Sequence, residues 1–206
     1  MPRPRYVVGI DEAGRGPLAG PVAVGVVVVD LEQISNLGEY FSGVRDSKKL
    51  SGKNREIWFQ KLKTERDSGR LFFAVTLVGN KIIDRNGIVS AISHGLDKGL
   101  EELNVNPETC RILLDGGLRA PDRYQNQQTI IRGDESEPVI ALASIVAKVI
   151  RDRWLIGLAK KYPDYGLEKH KGYGTKYHYL ALERFGLSPI HRETFCRRIF
   201  TKKSPR

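Results

Sequence analysis

The sequence predicts a mixed α/β fold in which helices flank one central sheet. Two valine-rich segments near the N-terminus, residues 6–11 and 22–30, have the composition of adjacent strands and are separated by a glycine-containing turn. Beyond them, strand-like and helix-like segments alternate, an order that is typical of a sheet covered by helices. With 206 residues and 40% hydrophobic content, the chain is long enough for one full core and a small appendage.

The middle of the chain predicts two helices and two further strands. Residues 53–66 and 82–103 are predicted to be helical, and the second segment carries apolar side chains at helical spacing. Residues 72–78, between the two helices, are predicted to form the third strand. A fourth strand is predicted at residues 111–115, where Gly116-Gly117 ends it.

The last third begins with a short fifth strand, residues 128–132, and continues with a long helix. Ser136-Glu137-Pro138 is a helix start signal with proline near the first helical position, so a helix is predicted from residue 139 to about residue 160. Pro163 marks its end. The rest predicts short helices and basic loops, with a polar tail from about residue 201 that we expect to be mobile.

The positive charge of the chain is concentrated in this last third. The formal net charge is +10, and residues 139–206 hold 15 lysines and arginines against five acids, whereas residues 1–138 hold 19 of each sign. Such an asymmetry indicates a polyanionic ligand, although a solvated basic face would have the same composition. Residues 169–179 alternate cations with aromatic rings, and this pattern favours nucleic acid.

Composition also excludes several classes of protein. The most apolar window, residues 22–29, is far shorter than the roughly 20 residues that span a bilayer, so no membrane association is expected. The few residues before the first strand leave no room for a secretory signal, and a cytoplasmic protein is predicted. Cys110 and Cys196 lack the spacing of a disulfide framework or a zinc site.

The adjacent acids Asp11-Glu12, at the end of the first predicted strand, are the strongest chemical signal. Burying two carboxylates together costs several kcal/mol, roughly, unless they are paired or bind a cation. Asp115 follows the fourth strand and Asp134 precedes the long helix, so all four acids are expected at one edge of the sheet. Asp115 could instead be a turn residue, and Asp134 could interact with the helix dipole.

A cluster of acids without histidine or cysteine spacing favours hard divalent cations, Mg²⁺ or Mn²⁺. Two such ions about 4 Å apart are the recurring device of phosphodiester hydrolysis. Acids beside a basic, aromatic segment therefore indicate a nuclease. A dinucleotide-binding loop is disfavoured because residues 14–20 depart from the G-x-G-x-x-G pattern and adjoin two negative charges.

Six segments in order resemble the ribonuclease HII family. They are GIDEAGRGPLAGP at 9–21, DSKKLS at 46–51, LDG at 114–116, GD at 133–134, ASIVAKV at 143–149 followed by RD at 151–152, and HKGYGT at 170–175. The resemblance runs from about residue 6 to residue 196. It implies a ribonuclease H-like three-layer fold, with a catalytic domain at residues 1–160 and a small basic helical extension at 161–206 packed on it.

The resemblance also implies the activity and its substrates. The family hydrolyses RNA within RNA/DNA hybrids and incises duplex DNA on the 5′ side of embedded ribonucleotides. The expected products carry 3′-hydroxyl and 5′-phosphate ends, and the expected mechanism uses two divalent metal ions. The expected role is ribonucleotide removal from DNA. No protein partner is indicated, and a monomer is expected.

The family's motifs assign roles to individual residues of this chain. Asp11, Glu12 and Asp115 match the metal-binding acids, and Asp134 matches the fourth active-site carboxylate. The tripeptide Gly14-Arg15-Gly16 matches the backbone segment that recognises the ribonucleotide 2′-hydroxyl group. Flexible glycines suit this role because the chain must approach a sugar closely.

Further residues of these motifs are expected to contact the nucleic acid. Tyr173 matches the tyrosine that stacks on the deoxyribose at the RNA–DNA junction. Phosphate contacts are expected from a set of polar residues: Lys48, Lys49, Ser144, Lys148 and Lys171. Lys148 could instead pair with Asp152 one helical turn later. No role falls on His170 or His191, for which ordinary packing is the favoured interpretation.

Two other functions remain open at this point. A hybrid-binding protein that has lost catalysis would keep the basic surface, but it would gain affinity by discarding the four acids that this chain retains. A DNA-directed nuclease of the same superfamily, such as a resolvase or transposase, would need neither the Gly-Arg-Gly tripeptide nor Tyr173.

Overall fold

The computed structural model of the chain describes residues 4–44 and 50–201, and its centre is one five-stranded mixed sheet. The strands are β1 (Tyr6–Ala13), β2 (Val22–Asp30), β3 (Leu71–Val78), β4 (Cys110–Asp115) and β5 (Gln127–Ile130). Their spatial order is β3-β2-β1-β4-β5. The first three strands are antiparallel neighbours, whereas β1, β4 and β5 run parallel to one another. The carboxyl ends of β1 and β4 therefore lie side by side.

Helices cover the sheet and form the C-terminal extension. They are α1 (Leu37–Tyr40), α2 (Gly52–Asp67), α3 (Asn80–Asn86), α4 (Ile88–Glu102), α5 (Gly133–Ser136), α6 (Pro138–Ala159), α7 (Leu167–His170), α8 (Lys176–Phe185) and α9 (Glu193–Thr201), with a 3₁₀ turn at Pro163–Tyr165. Among the helices in the described ranges, none combines the length and the apolar character that crossing a membrane requires.

The layers pack on β1 and β2 from both sides. Helix α6 covers one face, where Val139, Ala143 and Val146 join a buried cluster with Val27 and Val29. At Gly9 the approach is so close that a Cβ would lie 2.2 Å from the carbonyl oxygen of Val139. Helix α4 covers the other face through a second buried cluster. These contacts confirm the predicted three-layer architecture with a mixed central sheet.

The main corrections concern helices. The predicted helix at 82–103 is wrong as a single element, because α3 and α4 are separated at Gly87, whose φ of +81° lies outside the helical region. The short helices α1 and α5 were not predicted. Strand β1 continues to Ala13, two residues beyond the predicted end, so Asp11 and Glu12 lie within the strand rather than after it.

The C-terminal extension is attached to the turn that follows β1. Leu18 N–H donates to the carbonyl oxygen of Gly172 (2.8 Å), and Arg192 N–H donates to that of Leu18 (2.8 Å). Apolar side chains of the extension close over Leu18 and Ala19 in a third buried cluster. The division into domains at 160 stays a prediction. Helix α9 continues to Thr201, and residues 202–206 of the predicted mobile tail lie outside the described residues.

Candidate active site

Asp11 and Asp115 are neighbours because their strands are parallel and in register. Ile10 of β1 pairs with Leu114 of β4, and each aspartate is the next residue on its strand. Since side chains alternate between the faces of a sheet, both carboxylates lie on the same face. The predicted meeting of these two acids at one edge of the sheet is therefore confirmed.

The carboxylate of Asp11 is buried and incompletely satisfied. The side chain is 2% exposed, and Oδ1 accepts a hydrogen bond from the Glu12 N–H at 2.7 Å. Within the described ranges, the buried Oδ2 has no hydrogen-bond donor. Burial, and then the negative charges of Asp115 and Glu12, raise the pKa of Asp11 to about 8, although Ser144 and the Glu12 N–H act in the opposite direction.

Asp115 is fixed by the short helix α5. Its Oδ1 accepts a hydrogen bond from the Gly133 N–H at 2.7 Å. The next residue, Asp134, is fully buried in the first turn of the same helix. Asp134 therefore directly follows the residue that holds the Asp115 carboxylate, and its own side chain is buried.

Glu12 forms an ion pair with the arginine of the Gly-Arg-Gly tripeptide. Arg15 Nη1 lies 3.1 Å from Glu12 Oε1, and the Arg15 side chain is about half exposed. A pair of this kind contributes about 0–1 kcal/mol to stability. Because the interaction is weak, Arg15 can leave Glu12 when a cation or a substrate competes for either side chain.

One cavity of about 370 Å³ brings most of the predicted site residues together. Its lining consists of Asp11, Glu12, Ala13, Gly14, Arg15, Gly16, Arg55, Asp115, Ser144, Lys148 and Tyr173. Three predicted metal ligands, the tripeptide and the tyrosine therefore share one space. Asp134 and Lys171 are outside this lining, and Lys48 and Lys49 lie outside the described residues.

A second cavity, of about 510 Å³, adjoins the first. Arg55, Lys148 and Tyr173 line both cavities, so the two form one continuous groove. The outer part adds further cations from the extension and from α6: Arg153, Lys169 and Lys171. This basic groove extends from the cavity that holds the acids. Its cations come mainly from residues 139–206, the part of the chain that carries the excess positive charge.

Arg55 is a site residue that the sequence analysis missed. It lies in the first turn of α2, which Ser51 caps by accepting a hydrogen bond from the Asn54 N–H, and its guanidinium donates to the carbonyl oxygen of Leu50. The available signal was its position, one helical turn after the DSKKLS segment.

Lys148 makes the helical ion pair and also lines the cavity. Its Nζ lies 2.8 Å from Asp152 Oδ1 and 5.7 Å from the centre of the Tyr173 ring. Both interpretations that the sequence left open are therefore compatible with its position. Tyr173 is 42% exposed, so part of its side chain is accessible to a ligand.

A chain of buried histidines holds the loop that carries Tyr173. Ser188 N–H donates to His191 Nδ1 (3.0 Å), His191 Nε2 lies 3.0 Å from His178 Nε2, and His178 Nδ1 lies 2.9 Å from the carbonyl oxygen of Tyr173. Burial is the main cause that lowers the pKa of both imidazoles to about 4. His191 is buried, as the packing interpretation predicted, whereas His178 had not been singled out.

The donor set suits a hydrated divalent cation. Within the described ranges, no group of three or more His, Cys, Asp or Glu side chains forms a preassembled metal site. Mg²⁺ usually keeps several waters and binds through one or two carboxylates together with substrate phosphates, so such a preassembled group is not required. The buried and unsatisfied Oδ2 of Asp11, beside Asp115 and Glu12, is the oxygen that a cation would stabilise.

Comparisons with known proteins point in one direction. A profile of the family described as "Ribonuclease HII" matches residues 8–203. A "Ribonuclease HII" of Caldicellulosiruptor bescii is 42% identical over 197 residues, which cover 96% of this chain and 89% of the relative. The crystal structure of ribonuclease H2 from Pyrococcus horikoshii superposes with a TM-score of 0.71 at 29% identity and covers 96% of this chain and 98% of that one. The structure of a PCNA:RNase HII complex from Archaeoglobus fulgidus gives a TM-score of 0.73 at 23% identity, with 97% and 98% covered.

Proposed function

The chain belongs to the ribonuclease HII family of endonucleases that act on RNA/DNA hybrids, and we propose that it also incises duplex DNA on the 5′ side of an embedded ribonucleotide. The proposed products carry 3′-hydroxyl and 5′-phosphate ends. One observation carries the proposal: Asp11, Glu12 and Asp115 line a single cavity together with the Gly14-Arg15-Gly16 turn and Tyr173. A ribonucleotide differs from its DNA neighbours by one hydroxyl group, so a reader of that hydroxyl must lie beside the hydrolytic residues.

The family depends on divalent cations, and we assign Asp11, Glu12 and Asp115 as the residues that would hold them, with Asp134 as the adjacent fourth acid. Mg²⁺ and Mn²⁺ both suit these oxygen donors. When bound, two such cations supply an activated water and stabilisation of the leaving oxygen. Asp11 must lose its proton before it can bind a cation. Without a cation, the Asp11 pKa of about 8 keeps its carboxyl group protonated at neutral pH.

The remaining residues of the groove bind and orient the substrate in this proposal. The exposed part of Tyr173 stacks on the deoxyribose beside the ribonucleotide, and the backbone of the tripeptide recognises the 2′-hydroxyl group. Ser144 and Lys148, which line the cavity, contact phosphates near the scissile bond, while Lys171 contacts a phosphate farther along the groove. Lys48 and Lys49 stay predicted phosphate contacts.

Two alternatives are disfavoured by the same cavity. A silent hybrid-binding protein would have no use for a carboxyl group whose pKa is raised by burial and by two neighbouring acids. A DNA-directed nuclease would not need the Gly14-Arg15-Gly16 segment to recognise a 2′-hydroxyl group, because its substrate has none. The monomeric state and the cytoplasmic location stay predictions.

The test is a cleavage assay on three matched duplexes: one with a single embedded ribonucleotide, one of DNA alone, and one long RNA/DNA hybrid. Each is incubated with Mg²⁺, Mn²⁺ or EDTA. We expect metal-dependent incision on the 5′ side of the ribonucleotide, cleavage of the hybrid, and no cleavage of DNA alone. Asp11→Asn is expected to abolish incision while hybrid binding is kept or strengthened. Tight hybrid binding by the wild-type chain without any incision would favour the silent binder, and incision of DNA alone would favour the DNA-directed nuclease.

A further inference from the structure

Two arginines, Arg151 and Arg192, are completely buried where the extension meets the turn after β1. In the described part of the chain, the hydrogen bonds of both guanidinium groups go to backbone carbonyl oxygens rather than to carboxylates. Burying a charge without an ionic partner is costly, and an apolar residue of similar volume is often as stable or more so. A buried cation that is kept here therefore calls for a role beyond packing.

The side chain of Arg192 reaches the Gly-Arg-Gly tripeptide from the far end of the sequence. Its Nη2 donates to the carbonyl oxygen of Gly14 at 2.7 Å, and its Nη1 donates to that of Arg15 at 2.9 Å. Its Nε donates to the carbonyl oxygen of Gly20 at 2.9 Å. One planar guanidinium group thus fixes two successive peptide units and the end of the same turn.

These contacts determine where the amide groups of the tripeptide point. In a trans peptide unit, the C=O and the N–H lie on opposite sides. Because the carbonyls of Gly14 and Arg15 face Arg192, the N–H groups of Arg15 and Gly16 face away from it. Neither N–H has a backbone acceptor among residues 4–44 and 50–201, and both residues line the cavity with the acids.

We propose that Arg192 is a positioning residue for substrate recognition. It holds the peptide units 14–15 and 15–16, and the N–H groups of Arg15 and Gly16 are thereby directed at the 2′-hydroxyl group of the ribonucleotide. This inference rests on the proposed function of the tripeptide. Arginine suits the role because its rigid fork of donors can hold two adjacent carbonyls at once, whereas lysine is a point charge on a flexible chain.

The local backbone supports the need for an external clamp. Gly14 has a φ of +89°, a conformation that glycine adopts readily, so the tripeptide has little intrinsic preference for one orientation of its peptide units. The guanidinium group of Arg151 packs directly against the Cα of Gly14, where a Cβ would come within 1.9 Å of its Nε. Arg151 closes the space on that side, and Arg192 fixes the carbonyls.

The test compares binding of two duplexes that differ only in one 2′-hydroxyl group, in EDTA so that no cleavage occurs. The ratio of the two affinities reports the recognition of that group. We expect Arg192→Lys to lower this ratio on the order of tenfold, the effect of losing one or two ordinary hydrogen bonds. Affinity for the all-DNA duplex is expected to stay within about twofold, since phosphate contacts are not altered.

Asn80→Ala is the matched control for a purely structural effect. The uncharged Asn80 side chain donates hydrogen bonds to the carbonyl oxygens of Pro189 and His191, so it anchors the segment that leads into α9 without touching the tripeptide. We expect this variant to lower the melting temperature but to leave the affinity ratio unchanged. Equal ratios in the wild type and Arg192→Lys would overturn the inference, as would the same fall in Asn80→Ala.

Two further measurements test the inference if the lysine variant does not fold. If Arg192→Lys does not fold, Arg192→Gln, which can reach one carbonyl, is expected to have an intermediate ratio. In the wild type, hydrogen exchange at Arg15 and Gly16 should slow on binding the ribonucleotide duplex but not the all-DNA duplex, and equal protection by both would contradict the inference. A wild-type affinity ratio of one would instead show that the proposed 2′-hydroxyl recognition itself is wrong.

Discussion

The Nε2 atoms of His178 and His191 lie 3.0 Å apart, so the N–H of one imidazole must donate a hydrogen bond to the other ring. The outer partners decide the direction. Ser188 N–H donates to His191 Nδ1, which leaves His191 Nε2 as the protonated nitrogen, and the His178 Nδ1 proton is needed for the carbonyl oxygen of Tyr173. The chain of hydrogen bonds therefore requires both rings to be neutral.

Acid is expected to weaken the fold through these two histidines. Their pKa is about 4 in the folded chain against the usual 6.5, so the unfolded chain binds more protons in this interval and stability is lost as the pH falls from about 6.5 to 4. Each ring contributes a slope of about 1.4 kcal/mol per pH unit. Urea unfolding at a series of pH values measures the slope.

His191→Gln is the variant for this prediction. It removes one titrating ring, and the slope between pH 4 and 6.5 should fall by about 1.4 kcal/mol per pH unit, the contribution of that ring. His94 on α4 provides the control, because His94→Gln lies outside the buried chain of histidines and should leave the slope unchanged. An unaltered slope in His191→Gln would show that the buried pair does not titrate as described.

Replacing Asp11 by asparagine is expected to stabilise the metal-free protein at alkaline pH. The pKa of Asp11 is raised to about 8 from the usual 3.8, so in this interval the folded chain binds more protons and stability falls as the pH rises. The amide side chain of the Asp11→Asn variant carries no charge, and the loss of about 1.4 kcal/mol per pH unit should disappear. Thermal unfolding of both proteins in EDTA, at a pH near 5 and a pH near 9, measures the difference.

Cation binding provides the complementary measurement. If Asp11 holds the cation as we propose, the cation replaces the Asp11 proton. Adding Mg²⁺ or Mn²⁺ at neutral pH should then release about one proton per chain and raise the melting temperature of the wild type. Asp11→Asn should show neither effect. Proton release that survives this substitution would place the cation elsewhere.

Tyr173→Ala is expected to reduce incision at a single ribonucleotide more than cleavage of a long hybrid. Stacking of a base on an aromatic ring contributes about 1–3 kcal/mol. A lone ribonucleotide is followed by a deoxyribose on which Tyr173 can stack, whereas the interior of a long RNA strand has no deoxyribose. We expect kcat/KM on the embedded ribonucleotide to fall about tenfold further than on the hybrid. Tyr173→Phe keeps the ring and should behave as the wild type, whereas equal losses on both substrates would contradict the stacking role.

Arg55→Gln is expected to weaken binding to every duplex alike. Arg55 lines both parts of the basic groove, and we expect its guanidinium group to contact a phosphate of the bound duplex. Loss of one phosphate contact should reduce the slope of log K against log salt by about 1. The exposed Lys98, which pairs with Glu101 on α4 away from the groove, supplies the control variant Lys98→Gln. A change in ribonucleotide preference in Arg55→Gln would indicate a different role.

The sequence was sufficient for the strands and for the acids because both signals are local. Valine-rich segments form β1 and β2, and a parallel pairing of β1 with β4 is enough to bring Asp11 and Asp115 together. The break at Gly87 was missed because apolar spacing continues on both sides of it, and only the positive φ interrupts the helix.

The long-range contacts that hold the Gly-Arg-Gly turn and the Tyr173 loop in place could not be predicted in the same way. Arg192 contacts Gly14 across 178 positions of sequence, and His178 and His191 meet only when α8 and the segment before α9 pack together. No periodicity or spacing in the sequence indicates such contacts, since each depends on the conformation of a loop in the folded chain. Arg55 differs, because its position after the DSKKLS segment was a usable local signal.

The clamp between Arg192 and the turn after β1 has a consequence for synthesis of the protein. The four acids lie between residues 11 and 134, whereas Arg192 is among the last residues of the chain to leave the ribosome. The turn gains its contacts with Arg192 only after the extension has folded against it, so on the proposal above the recognition of the 2′-hydroxyl group would be acquired at the end of synthesis.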